Sequence, residues 1–200
     1  NSEINLFNII NEVNRIKDKN TLVESVLGNI NNFSFLKSIF VEHKPNIVFH
    51  AAAVKHVSIA EKNLFQCAET NIIGSKNVMT LSEEYKIKKF ILISTDKAVK
   101  PSNYMGMTKR VAELMMLYFQ KKTKDTSFCA VRFGNVANSS GSVFPIWQNQ
   151  IKHSNKITIT DPEATRYLMS ISEAVNLVLD TTILSKNGEI FVLDMGKPKK

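Results

Sequence analysis

Residues 90–118 read FILISTDKAVKPSNYMGMTKRVAELMMLY, and the change of character along this stretch decides the fold. Four apolar residues, Phe90 to Ile93, make a short buried strand, which breaks at the polar run Ser94, Thr95, Asp96 and Lys97. Pro101, Ser102 and Asn103 mark a turn. Residues 103–121 then re-enter order as a helix, with Met105 and Lys109 one turn apart on one face. A hydroxyl, a carboxylate and an amine at the end of a strand, facing a lysine on the next helix, form a compact acid/base set.

The pattern repeats outward from this stretch. Helices are expected at 3–16, 32–42, 63–85, around 145–152 and at 172–184, from apolar residues near 3.6-residue spacing. Short strands are expected at 21–26, 46–50, 127–133, 156–160 and 189–193. Pro45 ends the second helix because it disfavours a helical residue before it. The early strands are nearly unbroken apolar runs, as in strands covered on both faces, and they alternate with helices. The expectation is therefore an α/β fold with a doubly wound parallel sheet. Residues 136–200, less regular and richer in loops, form a small lobe over the strand ends of a first domain at 1–135.

Composition is that of an ordinary globular protein, with 44% hydrophobic and 22% charged residues. The net charge of +8 is spread over scattered lysines, which reads as solvated faces rather than a nucleic-acid surface. The two cysteines fit no metal spacing, and the histidines have no partners from which a metal set could be built. With no signal peptide and no apolar run approaching the ~20 residues a bilayer requires, a cytoplasmic protein is expected. The chain begins without methionine and stops just after a strand, so both ends read as cut.

Open parallel sheets bind ligands at the carboxyl ends of their strands. That rule singles out His50, the run Thr95 to Lys97, and Gly134 with Asn135. Each candidate has a plainer alternative. The polar run is also a turn with a local ion pair, a lone lysine is more often solvated, and a methionine is more often core. His56, beside Lys55, suits a ligand contact or the surface equally. A mid-helix asparagine such as Asn71 belongs on the surface unless its amide fixes neighbouring backbone. Arg166 either pairs with Asp161 and Glu163 or holds a phosphate through its two-pronged guanidinium.

Six segments together, HAAAVKHV at 50–57, TNIIGSKNV at 70–78, STDKAVKPSNYMGMTKR at 94–110, VRFGNVANSSGSVFP at 131–145, ITDPEATRYLMSISEAVNLVL at 159–179 and GEIFVLDMGKP at 188–198, resemble the CapD-like polysaccharide-biosynthesis proteins. These are nucleotide-sugar 4,6-dehydratases of the extended short-chain dehydrogenase/reductase superfamily. The resemblance implies a Rossmann-like sheet, NAD or NADP as cofactor, a UDP-N-acetylglucosamine-type substrate and a homo-oligomer. It also implies a reaction that moves hydride from C4 of the sugar to the cofactor, eliminates water across C5 and C6, and returns hydride to C6.

By the same resemblance, Asp96 is the acid for the C6 hydroxyl, Lys97 the base at C5 and Thr95 the hydroxyl at the C4 oxygen. Lys109 is the lysine on the nicotinamide ribose. Met105 stands where the wider superfamily has a tyrosine, as in the branch retaining configuration at C5, and Tyr104 is one residue early. His50, Ala51 and Ala52 pass along the cofactor, and Glu3, Asn29 and Ile30 lie at its adenosine end. Lys55, His56 and Asn71 belong near the sugar, Asn135 and Arg166 near the diphosphate, and Thr158 and Thr160 near the uridine.

Two departures stand out. The glycine-rich strand-turn-helix for a pyrophosphate is absent from the chain, and the family's aspartate is Asn29 here. A sheet incomplete at its N-terminal strands is therefore expected, with a gap between strands 21–26 and 46–50. Any membrane association would come from upstream segments.

Overall fold

The computed structural model describes residues 2–137, 139, 143–159 and 161–199. The chain opens with helix α1 (Glu3–Ile16), started by the Ser2 side chain accepting from the Asn5 amide. Helix α2 (Phe33–His43) follows, capped by Asn32 and closed by Lys44 in the left-handed region at φ 43°. Strand β1 (Ile47–His50) leads through a loop to helices α3 (Val57–Lys62) and α4 (Leu64–Ala68). A π-helical turn (Glu69–Gly74) joins α4 to α5 (Ser75–Glu84).

Strand β2 (Lys89–Thr95), a 3₁₀ turn (Asp96–Ala98), helix α6 (Tyr104–Lys122) and strand β3 (Ser127–Phe133) form the centre. Then come β4 (Asn135–Val136), α7 (Val143–Ser154), β5 (Leu168–Met169), α8 (Ile171–Leu184) and β6 (Ile190–Val192). Helix α8 starts in a reciprocal Ser170–Glu173 capping box.

Four strands form one parallel sheet in the order β1-β2-β3-β6, while β4 and β5 pair separately beside it. Alternation along β2 and β3 sends side chains to two cores. Phe90, Leu92, Phe128 and Ala130 meet Met79, Leu81, Met116 and Phe119 on one face. Ile91, Cys129 and Val131 meet Leu177 of α8 on the other. Both faces are thus covered, as a parallel sheet requires, and each fully buried large side chain contributes about 1.5–3 kcal/mol. The last strand of residues 136–200, β6, returns to this sheet beside β3.

Several expectations change. Residues 21–26 are exposed and form no strand. No described segment offers them a ladder, and a strand exists only with a neighbour to bond. No gap between two strands arises, and β1 is the sheet edge, with Phe49 48% exposed. Residues 156–159 are also not a strand. Their backbone is held by side chains of α7 instead: Thr158 N–H donates to Gln150 Oε1 and Thr158 O accepts from Trp147 Nε1. The single helix expected at 63–85 is broken by the π turn, and the preceding α3 was not anticipated. Strand β2 also runs two residues further than its apolar run, through Ser94 and Thr95.

Candidate active site

A cavity of about 800 Å³ lies at the carboxyl ends of β1, β2 and β3. Ala51, Lys55 and His56 reach it from the loop after β1, Thr95 and Lys97 from the end of β2, Met105 and Lys109 from α6, and Asn135 from β4. The opposite wall is apolar and comes largely from α8, through Ile171, Val175, Val178 and Leu179.

Thr95, Asp96 and Lys97 act as one group. Thr95 Oγ1 donates to Asp96 Oδ1 at 2.9 Å, and Lys97 Nζ donates to the same oxygen at 2.9 Å. Lys97 Nζ also donates to Asn135 Oδ1 at 3.2 Å. The Lys97–Asp96 pair is about a third exposed, at 31% and 30% of its side chains. The turn that folds these residues together is begun by Thr95 Oγ1 accepting from the Lys97 backbone amide.

Helix α6 is pressed against this turn. Its first amides are capped by Asn103 Oδ1, which accepts from Gly106 N–H at 2.8 Å. A Cβ on Gly106 would stand 2.4 Å from the Lys97 carbonyl oxygen, so only glycine allows this approach. One turn further, Lys109 is 5% exposed. Its ammonium makes no hydrogen bond or ion pair among the described residues and lines the cavity. Burial pushes its pKa down to about 8, partly offset by the nearby charge of Glu113.

Met105 is buried against Ala60 and Cys67 and presents an edge to the cavity. Tyr104, about 100° round the helix, packs on the outside of that cluster, and its backbone amide donates to Glu61 Oε1. It does not line the cavity. The position four before Lys109 therefore carries a side chain with no exchangeable proton.

Asn71, turned inward by the π helix, is fully buried. Its Oδ1 accepts from Val54 N–H at 2.8 Å, while Nδ2 donates to Val54 O at 3.0 Å and to Thr108 Oγ1 at 2.9 Å. This amide grips both backbone groups of the loop that carries Lys55 and His56, and ties that loop to α6. His50 is also buried. Ser75 Oγ spends its proton on Asn71 O at 2.7 Å, so His50 Nε2–H is the donor in the 2.8 Å contact with Ser75 Oγ. Burial, aided by the charge of Lys109, lowers the His50 pKa to about 3, and the ring is neutral.

The remaining candidates lie elsewhere. Glu3 is in the first turn of α1, Asn29 Oδ1 accepts from Asn31 N–H, and Ile30 packs on the α2–α5 side of the core. A second hollow, of about 420 Å³, opens between α1 and residues 26–28. Ala52 is exposed. Thr158 is tied to α7, and exposed Arg166 donates to its neighbour's carbonyl, Thr165 O, at 2.7 Å. Thr160 lies outside the described residues.

Sequence reasoning missed the group behind the site. Glu113, fully buried on α6, accepts from Ser94 Oγ at 2.6 Å, from Arg132 at 2.9 and 2.7 Å, and from Arg110 at 3.0 Å. Burial alone would raise its pKa, but these donors prevail and hold it below the usual carboxylate value. The available signal was its place four residues after Lys109.

The family model for polysaccharide biosynthesis proteins matches residues 1–200. The capsular polysaccharide biosynthesis protein CapD of Staphylococcus aureus is 44% identical over 99% of this chain, which spans 33% of that protein's length. A UDP-glucose 4-epimerase of Rickettsia canadensis is 37% identical over 89% of this chain and 52% of its own. Among solved structures, Pen from Bacillus thuringiensis superposes with a TM-score of 0.88 at 38% identity, covering 96% of this chain and 58% of that one. With its strand-end cavity and this match from end to end, the chain belongs to the polysaccharide biosynthesis protein family.

Proposed function

We propose that the chain forms the reacting part of an NAD(P)-dependent nucleotide-sugar 4,6-dehydratase that acts on a UDP-N-acetylglucosamine-type substrate and retains configuration at C5. Residues 1–135 would carry the dinucleotide side and 136–200 the nucleotide-sugar side. The observation that carries this reading is the single carboxylate oxygen of Asp96, shared by Thr95 and Lys97 beside the cavity that Lys109 enters.

The arrangement suits elimination of water. One proton passing from Lys97 Nζ to Asp96 Oδ1 across 2.9 Å yields a neutral amine and a neutral acid together. Displacing water from the pair favours that exchange, because an ion pair loses more solvation than its neutral form. The amine then removes the proton on C5, next to a C4 ketone, and the acid protonates the departing C6 hydroxyl. Thr95 is placed to hold the C4 oxygen through its hydroxyl; the proton lost there as the ketone forms leaves to water, and Lys97 regains one from water at the end of the cycle.

The residues at the end of β1 fit a nicotinamide cofactor. Ala51 and Ala53 line the cavity with no atom beyond Cβ, and the unpartnered ammonium of Lys109 suits ribose hydroxyls. Such a cofactor, when bound, supplies the acceptor and later the donor of hydride.

The UDP-glucose 4-epimerase name of one relative favours a second reading, C4 epimerisation. Both readings begin by oxidising the C4 hydroxyl, so Met105 does not separate them; the Asp96–Lys97 pair, which only elimination across C5 and C6 needs, favours the dehydratase. The test is to incubate the full-length protein with UDP-N-acetylglucosamine in D₂O and follow the product by NMR. The expected product is a 4-keto-6-deoxy sugar with deuterium at C5 and unchanged configuration. Asp96→Asn is expected to lose about 100-fold or more in turnover. A C4 epimer that has kept its C6 hydroxyl would overturn the dehydratase reading.

A further inference from the structure

The described cavity leaves one buried charged group unused: the Glu113 carboxylate, whose four acceptor contacts link three elements around the site. Ser94 is the residue before Thr95 on β2, and it lies opposite Arg132 in the β2–β3 register. Arg132 stands three residues before Asn135. Glu113 bonds both, from a helix that also carries Lys109 one turn earlier. Nothing in catalysis as derived above requires this acid. A fully buried carboxylate with two guanidiniums nonetheless costs desolvation that apolar residues would avoid.

We propose that Glu113 is a positioning residue: by bonding Ser94 and Arg132 it locks the ends of β2 and β3 together, which sets Thr95 and Asn135 on the two sides of Lys97, and its carboxylate, one turn along α6, is the anionic neighbour of the Lys109 ammonium. The geometric half follows from bond directions. Ser94 and Arg132 point toward α6, so by alternation along a strand their neighbours Thr95 and Phe133 point to the other face, and Ser94, Thr95 and Phe133 all border the cavity at the strand ends. Any shift of the strand ends at Glu113 is therefore passed directly to the reacting hydroxyl.

The electrostatic half follows from the neighbours of Lys109. They are neutral His50 on β1, Lys97 in the same cavity, and Glu113 one turn along α6, which itself binds Arg110 and Arg132. Without the Glu113 charge, the buried ammonium would lose the anion that partly offsets its burial, and the two guanidiniums would lose their shared carboxylate. Only the consequence for turnover rests on the dehydratase reading.

The test uses NMR of the chain, following the Thr95 and Asn135 amides and the titration of the Lys109 amine, with Lys109→Met assigning that signal. Glu113→Gln keeps the size and removes the charge. It is expected to shift both amides and to lower the Lys109 titration by about one pH unit or more. Ser94→Ala removes one strand-end bond and keeps the charge, so it should shift the Thr95 amide and leave Lys109 titrating as before. Arg110→Gln keeps the strand clamp and removes a cation, so Lys109 should titrate higher with both amides unmoved.

Unmoved Thr95 and Asn135 amides in Ser94→Ala and Glu113→Gln would overturn the clamp. An unmoved Lys109 titration in Arg110→Gln and Glu113→Gln would overturn the electrostatic role. If Glu113→Gln does not fold, the other two variants decide alone. In the full-length protein, Glu113→Gln should lower kcat with little change in KM and move the alkaline limb of the pH profile downward. Absence of any dehydration by the unmodified protein would sink the functional reading while leaving the NMR result standing.

Discussion

In β2 and β3, Phe90, Ile91, Leu92, Phe128 and Val131 are fully closed off from solvent, whereas Ile4, Phe7, Leu22 and Val23 nearer the N-terminus are between 38% and 82% exposed. Both regions are rich in apolar residues, and α1 is as clearly amphipathic as any helix here. The difference lies in what stands opposite. β2 has a strand on each side, α5 and α6 on one face and α8 on the other. Residues 21–26 have no ladder partner among the described residues, and α1 meets no sheet face. Apolar spacing creates the capacity for burial; a second layer is needed to realise it. The chain spans about a third to a little over half of the curated relatives it matches.

The contrast is breakable by mutation. The largest expected effect is Phe128→Ala, which removes a ring packed on Phe90 and Phe119 at centroid distances of 5.2 and 5.7 Å. Urea unfolding should show a loss of about 3–5 kcal/mol.

Next is Lys109→Met, which probes the one place where the buried region works against itself. Lys109 titrates at about 8 in the fold against an ordinary 10.5, so between those values the unfolded chain binds more protons. Stability therefore rises with pH through that window, and the full cost is present below it. Lys109→Met should be more stable than the unmodified chain by about 3 kcal/mol at pH 7. The gain should fade between pH 8 and 10.5. A gain independent of pH would mean that packing, not charge, is responsible.

The smallest expected effect is Leu22→Ala, which should change stability by no more than about 0.5 kcal/mol. If it costs as much as Phe128→Ala, the two regions are not different and the reading of residues 21–26 fails.

The centre of the fold was legible because its signals are local. The apolar run at Phe90, the Pro101–Asn103 turn and the helix that follows it lie within one continuous segment. Residues 21–26 looked the same locally, but strand formation is a relation between two segments, and periodicity cannot report on the partner. The site divides in the same way. Thr95, Asp96 and Lys97 are neighbours in sequence, and the strand-end rule for parallel sheets joined them to Asn135, while Lys109 was read from its place on the next helix.

Glu113 escaped notice because a glutamate three residues after Arg110 reads as an exposed helical pair. Its burial depends on Arg132, 19 residues away on another strand. Asn71 was readable only as an alternative, since the π turn that aims it inward has no marker in side-chain pattern.

That turn carries a consequence for how the chain tolerates change in length. A π helix holds one residue more per turn than the α-helix around it. Deleting one residue of Glu69–Gly74 other than Asn71 would let the segment relax into regular helix, leaving α4 and α5 nearly in phase but re-aiming the side chains of the turn itself. Asn71 would then release Val54, and the loop bearing Lys55 and His56 would lose its anchor without any of those three being altered. The length of this turn, as much as the identity of Asn71, therefore keeps that loop in place.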